Sequence, residues 1–181
     1  MTLLFAALAS HAALAQKVKL ATSMGDIVIQ LDADKAPKTV ANFVQYVKDG
    51  HYDGLIFHRV IATFMIQGGG FDADMREKPT RAPIPLESRN GLNNLRGTVA
   101  MARTNVPDSA TSQFFINVVD NAFLDAANAR DGNGYAVFGK VVSGMEVIDK
   151  IREVPVGNRG PHQNVPQQPV VIRKATLESS K

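Results

Sequence analysis

Residues 57–69 read Phe-His-Arg-Val-Ile-Ala-Thr-Phe-Met-Ile-Gln-Gly-Gly, and this stretch decides how the rest of the chain is interpreted. Side chains alternate between the two faces of a β-strand, so Arg59 is expected to share a face with Phe57 and Ile61. Burying a guanidinium among apolar side chains is costly unless the charge is paired. The alternation therefore leaves two interpretations of Arg59 open: a functional arginine, or a surface arginine whose aliphatic stem packs on the sheet.

Outward from that stretch, most of the chain consists of strand-like runs, and two segments have helical periodicity. Residues 18–22 and 26–31 flank Ser-Met-Gly and are typical of a hairpin. Residues 37–50 carry apolar side chains at helical spacing between a proline and a glycine, and residues 145–151 form the second predicted helix. Further strand candidates are residues 56–61, 64–67, 98–102, 113–118, 136–142 and 169–177.

Many short strands with two helices predict a mainly β fold. A closed antiparallel barrel is favoured, because closure removes exposed strand edges, and the helices would cap its ends. Within that fold we expect Phe114 and Phe138 in the core, His58 as a hydrogen-bonded structural histidine, and Lys140 in solvent. The long connections 70–85 and 103–112 are of the kind that usually carries function.

The composition limits the function classes. The 181 residues suit one domain, and 20 Lys and Arg against 17 Asp and Glu give a net charge of +3. The basic residues are scattered with no run of four, so nucleic-acid binding is not expected. The chain has no cysteine, which excludes disulfides, thiolate catalysis and cysteine-based metal sites.

Residues 1–15 differ from the rest and are predicted to be a signal peptide. An apolar run, Leu3 to Ala9, precedes the small-x-small site Ala13-Leu14-Ala15, and the mature domain is expected to span residues 16–181. No Lys or Arg precedes the run, so the signal is expected to be shortened or weak. The run is too short to span a bilayer, which needs about 20 residues. A buried strand or the first turn of a core helix is the alternative.

Familiar catalytic motifs do not occur. The four histidines lack HExxH spacing, and no serine stands in a GxSxG elbow. The glycines at 68–70 are not followed by the Lys-Ser/Thr of a phosphate loop. We therefore expect neither a metal nor a cofactor.

Several blocks, in order from about residue 18 to 177, resemble the cyclophilin family of peptidyl-prolyl cis–trans isomerases. The most similar blocks are residues 57–69, 97–102, 112–116, 123–125 and 137–141. Residues 101–104 and 108–113 look most like the bacterial periplasmic branch. The resemblance implies a closed eight-stranded antiparallel barrel capped by two α-helices. It also implies isomerisation of Xaa-Pro bonds in unfolded or partly folded exported proteins, in the periplasm, where it would assist folding. A monomer is the default expectation.

The same resemblance assigns roles by motif position. Arg59 would be the catalytic residue. The pocket for the proline ring would be formed by Phe64, Met65, Phe115 and Leu124, with Phe123 and Tyr135 as its distal aromatic wall. The flanking peptide backbone would be held by Gln67, Ala102, Arg103 and Gln113.

Three positions depart from the pattern common in eukaryotic members. Phe123 stands where those often have Trp, Tyr135 where they have His, and Arg103 where they have Asn. Tyr135 also follows a longer loop, residues 126–134. An aromatic wall is kept, but the indole N–H donor is lost, so we expect weak binding of cyclosporin. The side-chain role of Arg103 is open, although its backbone can still contact substrate.

Two other function classes stay open. One is a module that binds proline-containing peptides with little catalytic use. The other is a barrel enzyme acting on a small molecule, which no acid–base pair or cofactor motif supports.

Overall fold

The computed structural model describes residues 16–178, which form a mainly β fold with two α-helices. The predicted signal peptide, residues 1–15, lies outside the described residues. In chain order the elements are β1 Lys17–Thr22, β2 Gly25–Leu31, α1 Pro37–Lys48, β3 Arg59–Ile61, β4 Met65–Gly68, β5 Thr98–Met101, β6 Phe114–Asn117, a 3-10 turn Ala122–Leu124, β7 Val137–Ser143, α2 Met145–Arg152, β8 Val156–Arg159, β9 His162–Pro166 and β10 Ile172–Glu178.

Eight of the strands form one antiparallel sheet in the order β10-β1-β2-β7-β5-β6-β4-β3, and β8 pairs with β9 as a separate hairpin. The sheet is an open half-barrel, so the prediction of a closed barrel is wrong on this point. Its two edge strands, β3 and β10, share no ladder. The residues before β3 instead meet the start of β10, through an isolated bridge between Ile56 and Val171 and through backbone hydrogen bonds that Ile172 exchanges with Gly54 and Leu55.

The inner face of the sheet and one side of α1 enclose the main core. Apolar residues of β1 and β2 alternate inward, and α1 buries Val40, Phe43, Val44 and Val47 at the predicted helical spacing. The ring of Phe43 meets Phe114 edge-on at 5.5 Å and lies 5.0 Å from Phe138. Both predicted core phenylalanines are confirmed, and Lys140 is exposed.

Phe57 does not share a face with Arg59. It belongs to the main core and packs edge-on against Phe114 at 6.1 Å, whereas Arg59 is half-buried. The regular strand begins only at Arg59, so strict alternation does not extend back to Phe57. Neither α-helix of the described residues is long and apolar enough to cross a membrane.

Candidate active site

The outer face of the sheet brings Arg59 into a row of side chains. Arg59 lies opposite Gln67 in the neighbouring strand, and Gln67 lies opposite Phe115 in the next. Directly opposed residues of antiparallel strands point to the same face. Val60 and Ile66 point the other way, into the main core. The strand register therefore places one guanidinium, one amide and one aromatic ring side by side on the outer face.

A second, smaller apolar cluster covers this outer face. Its buried members are Met65, Ala100, Phe115, Leu124 and Val137, and Ile61, Phe64, Leu92, Ala102 and Tyr135 pack against them half-buried. Six of these are residues that the sequence analysis named: Phe64, Met65, Ala102, Phe115, Leu124 and Tyr135. The predicted proline pocket is thus one contiguous apolar surface, separated from the main core by the sheet.

Sequence reasoning missed four members of this cluster. Ile61 could have been included, because strand alternation already placed it on the same face as Arg59. Ala100 lies opposite Phe115 in the sheet, and that pairing is not visible before the strand order is known. Leu92 and Val137 come from distant segments whose approach depends on the whole fold.

A row of polar side chains lies beside the apolar cluster. Arg59 Nη1 donates to Gln67 Oε1 at 3.5 Å, and Gln67 Nε2 donates to Gln113 Oε1 at 2.9 Å. The chain at Gly70 passes so close that a Cβ there would lie 2.6 Å from the Gln113 amide. Among residues 16–178, no carboxylate oxygen lies within 4.0 Å of the Arg59 guanidinium. Its charge is therefore available to a group that lands on this face.

The 3-10 turn Ala122–Leu124 directs two neighbouring side chains to opposite sides, one into the outer apolar cluster and one towards solvent. Leu124 turns inward and is buried in the outer cluster. Phe123 turns outward with 57% exposure, and its ring stacks on that of Phe64 at 5.5 Å. The pair Phe64–Phe123 forms an aromatic rim at one end of the apolar surface.

Tyr135 stands at the other end and is held from behind by Arg103. The Tyr135 ring meets Phe115 edge-on at 5.6 Å, and Arg103 lies against the Tyr135 ring. The Arg103 guanidinium donates to the backbone oxygens of Gly134 and Thr104, each at 2.9 Å. Only 2% of this side chain is exposed. The guanidinium is thus engaged by groups inside the protein, and the predicted contact with a peptide would have to come from the backbone of residue 103.

Asp131 completes this arrangement. Its carboxylate pairs with the Arg103 guanidinium and also accepts the backbone N–H groups of Asn133 and Gly134. These bonds, the one from Arg103 foremost, hold the pKa of Asp131 well below its usual range. The loop before Tyr135 is thereby fixed by an ionised carboxylate and a buried guanidinium.

His58 does not have the hydrogen bond that the sequence analysis expected. It is 6% exposed, its ring lies 4.7 Å from that of Phe71, and its Nδ1 finds no partner among residues 16–178. Burial, with smaller contributions from the charges of His162 and Arg59, lowers the pKa of His58 to about 4. The imidazole is neutral at physiological pH.

No group of three or more His, Asp or Glu side chains in the described part of the chain could hold a metal ion. What the outer face presents is an apolar surface for a ring, an unpaired guanidinium, and two amides. Such a set can bind a peptide and donate hydrogen bonds to it.

Comparison with known proteins agrees with this geometry. The family model described as "Cyclophilin type peptidyl-prolyl cis-trans isomerase/CLD" matches residues 17–177. Peptidyl-prolyl cis-trans isomerase A of Dickeya dadantii is 60% identical over 160 residues, covering 88% of this chain and 83% of that protein. Peptidyl-prolyl cis-trans isomerase B of Escherichia coli is 55% identical over 157 residues, covering 86% and 96%.

Among solved structures, one similar fold is a cyclophilin-type isomerase of Cryptosporidium parvum, crystallised in the presence of the dipeptide Ala-Pro. Its TM-score is 0.74 at 26% identity, covering 91% of this chain and 100% of that one. By sequence and by fold, this chain belongs to the family of cyclophilin-type peptidyl-prolyl cis-trans isomerases, and peptidyl-prolyl isomerisation is its activity.

Proposed function

We propose that the outer face accelerates rotation about Xaa-Pro bonds, with Arg59 as the catalytic residue. Amide resonance opposes this rotation with a barrier of about 18–20 kcal/mol, and the uncatalysed step takes tens of seconds or longer. No bond breaks, so the enzyme needs only to bind the twisted amide more tightly than either planar form.

Arg59 suits this role chemically. As the amide twists, the proline nitrogen loses its resonance and gains a lone pair that accepts a hydrogen bond. A guanidinium is always protonated and presents several N–H donors. The observation that carries the proposal is that Arg59, beside the apolar cluster, has no carboxylate partner within 4.0 Å among the described residues. The charge of a guanidinium paired with a carboxylate of the protein would be neutralised there and would not be available to the substrate.

The rest of the face would hold the peptide around the twisting bond. The apolar surface fixes the proline ring while the preceding residue rotates. The ring would sit on Phe64, Met65, Phe115 and Leu124, between the walls Phe123 and Tyr135, with the backbone held by Gln67, Gln113, Ala102 and Arg103. The use of the dipeptide Ala-Pro in crystals of the Cryptosporidium parvum cyclophilin supports a proline-containing ligand for this fold.

We further propose that the clients are unfolded or partly folded exported proteins in the periplasm, where isomerisation assists their folding. The apolar run and small-x-small site in residues 1–15 support export. Cell fractionation with N-terminal sequencing tests this. We expect a periplasmic chain that begins near Gln16; a cytosolic chain that keeps residues 1–15 contradicts it.

A protease-free isomerisation assay on a short Xaa-Pro peptide tests the role of Arg59. We expect Arg59→Ala to lower kcat/KM by about 100-fold or more, in the range of losing one transition-state hydrogen bond, with peptide affinity changed far less. Arg81→Ala is the matched control, because Arg81 pairs with Asp49 next to α1. A wild-type rate in Arg59→Ala would refute the catalytic role. If the wild-type protein does not accelerate isomerisation, the outer face acts only as a binding surface for proline-containing peptides.

A further inference from the structure

A small polar cavity lies beside Arg59, between β3 and the β8–β9 hairpin. Its volume is about 280 Å³, near the lower end of ligand pockets and sufficient for one side chain. The residues that line it are His58, Arg59, Pro161, His162, Gln163 and Asn164. None of these belongs to the apolar cluster, so the cavity is a separate feature that shares only Arg59 with the proposed isomerase site.

The lining offers hydrogen-bond donors and positive charge but no carboxylate. Arg59 has no ion-pair partner among residues 16–178, as described above. His58 is more than nine-tenths buried with an unpartnered Nδ1, and buried polar atoms are normally hydrogen-bonded. Two of the lining residues, Arg59 and His58, therefore have unused hydrogen-bonding capacity.

The cavity wall is fixed by aromatic and backbone contacts. The ring of Phe71 lies between two imidazoles, 4.7 Å from His58 and 4.9 Å from His162. The hairpin is tied down by Arg159, which donates to the backbone oxygen of Ala73 at 2.8 Å. The two imidazoles and the hairpin are thus held in place before any ligand arrives, which lowers the entropy cost of binding.

We propose that this cavity is a subsite for an acidic side chain of the polypeptide substrate, within about three residues of the proline. The inference rests on the proposed function, because it requires the substrate to lie along Arg59. A carboxylate would gain charge-assisted hydrogen bonds there, and the guanidinium has enough donors to serve the subsite and the twisting amide together. An extended chain advances only about 3.3–3.6 Å per residue, so only a residue close to the proline can reach the cavity.

The test compares the affinity of paired peptides for the whole protein. Each pair places Glu or Gln at one position before or after the same Xaa-Pro bond, and affinity is measured by isothermal titration at low salt. At one position at least, we expect the Glu peptide to bind about fivefold more tightly than the Gln peptide. The difference should shrink as salt screens the charges. Equal affinities for every pair would overturn the proposal.

Two charge variants localise the effect. Gln163→Glu places a carboxylate at the cavity and should abolish or reverse the preference for Glu. Gln167→Glu is the control, because Gln167 is exposed just beyond β9 and does not line the cavity. Equal losses in both variants would overturn the subsite in favour of a general charge effect. Isomerisation of an uncharged peptide by the wild type reports separately on the proposed function.

Discussion

The guanidinium carbon of Arg103 lies 4.6 Å from the centroid of the Tyr135 ring. A cation in this position is attracted to the ring, and the attraction is larger when the cation is desolvated, as Arg103 is. The same guanidinium holds Gly134 and Asp131, so one buried side chain fixes both the loop and the aromatic wall that follows it.

Replacing Arg103 should therefore weaken substrate binding more than it slows rotation. We expect Arg103→Ala to raise KM by about fivefold to tenfold with a smaller change in kcat, because Tyr135 loses its support. The KM of Arg103→Lys should lie between those of the wild type and Arg103→Ala, since lysine keeps the charge but lacks the planar guanidinium fork. Steady-state kinetics on one Xaa-Pro peptide measure this.

The background Tyr135→Ala provides the control for this prediction. If Arg103 acts through Tyr135, removing Arg103 in that background should change KM little further. Additive effects of Arg103→Ala and Tyr135→Ala would contradict the coupling.

Protonation of His58 should make the fold less stable in mild acid. Its pKa is lowered to about 4 in the folded protein, so the unfolded chain binds this proton more readily. Stability is then fully present above the unfolded value near 6.5 and is lost as the pH falls towards 4. The loss should be on the order of 3 kcal/mol by denaturant titration.

His58→Gln serves as the comparison, because it removes the titrating group while keeping a polar side chain. The slope of stability against pH should be clearly smaller between pH 6.5 and 4. Some slope should persist, since burial also lowers the pKa of His51. An unchanged slope in His58→Gln would be evidence against this account.

A side chain at Gly70 should damage the site without unfolding the protein. A Cβ there would meet the Gln113 amide at 2.6 Å, and this flexible group can move aside at the expense of its bond to Gln67. We expect Gly70→Ala to lower kcat/KM by about tenfold. Gly157→Ala is the control, because the nearest atom to a Cβ there is 3.9 Å away. Full activity in Gly70→Ala would contradict the placement of Gln113.

Cyclosporin should inhibit this isomerase only weakly. Phe123 offers an exposed ring stacked on Phe64 but no N–H donor. We expect Phe123→Trp to tighten inhibition by about fivefold or more, measured in the isomerisation assay. Inhibition of the wild type at stoichiometric drug would refute the prediction.

The strand-like runs predicted β1 and β2, and the helical spacing predicted the inward side of α1, because each of these elements has one buried face along its whole length. Period-two alternation failed at Phe57, where the strand has not yet begun. The open seam between β3 and β10 was missed for a related reason. Alternation indicates which residues form a strand and which face they share, but it carries no information about which strand edges pair.

The candidate site was likewise predicted only in part. Family resemblance identified the apolar residues Phe64, Met65 and Phe115, which the sheet brings together in one cluster. It gave no side-chain role for Arg103, whose partner Asp131 lies 28 residues away in a longer loop. Nor did it indicate the cavity at His58, because the opposite wall belongs to a hairpin about a hundred residues later in the chain.

The sheet keeps the main core and the outer apolar cluster apart. Mutations in the outer cluster therefore leave most of the packing that stabilises the fold intact. Substrate preference can then drift over many generations while the chain stays folded at each step. Exposed rim positions such as Phe123 are the least constrained by the packing of the fold. We expect relatives with different clients to differ first at these positions.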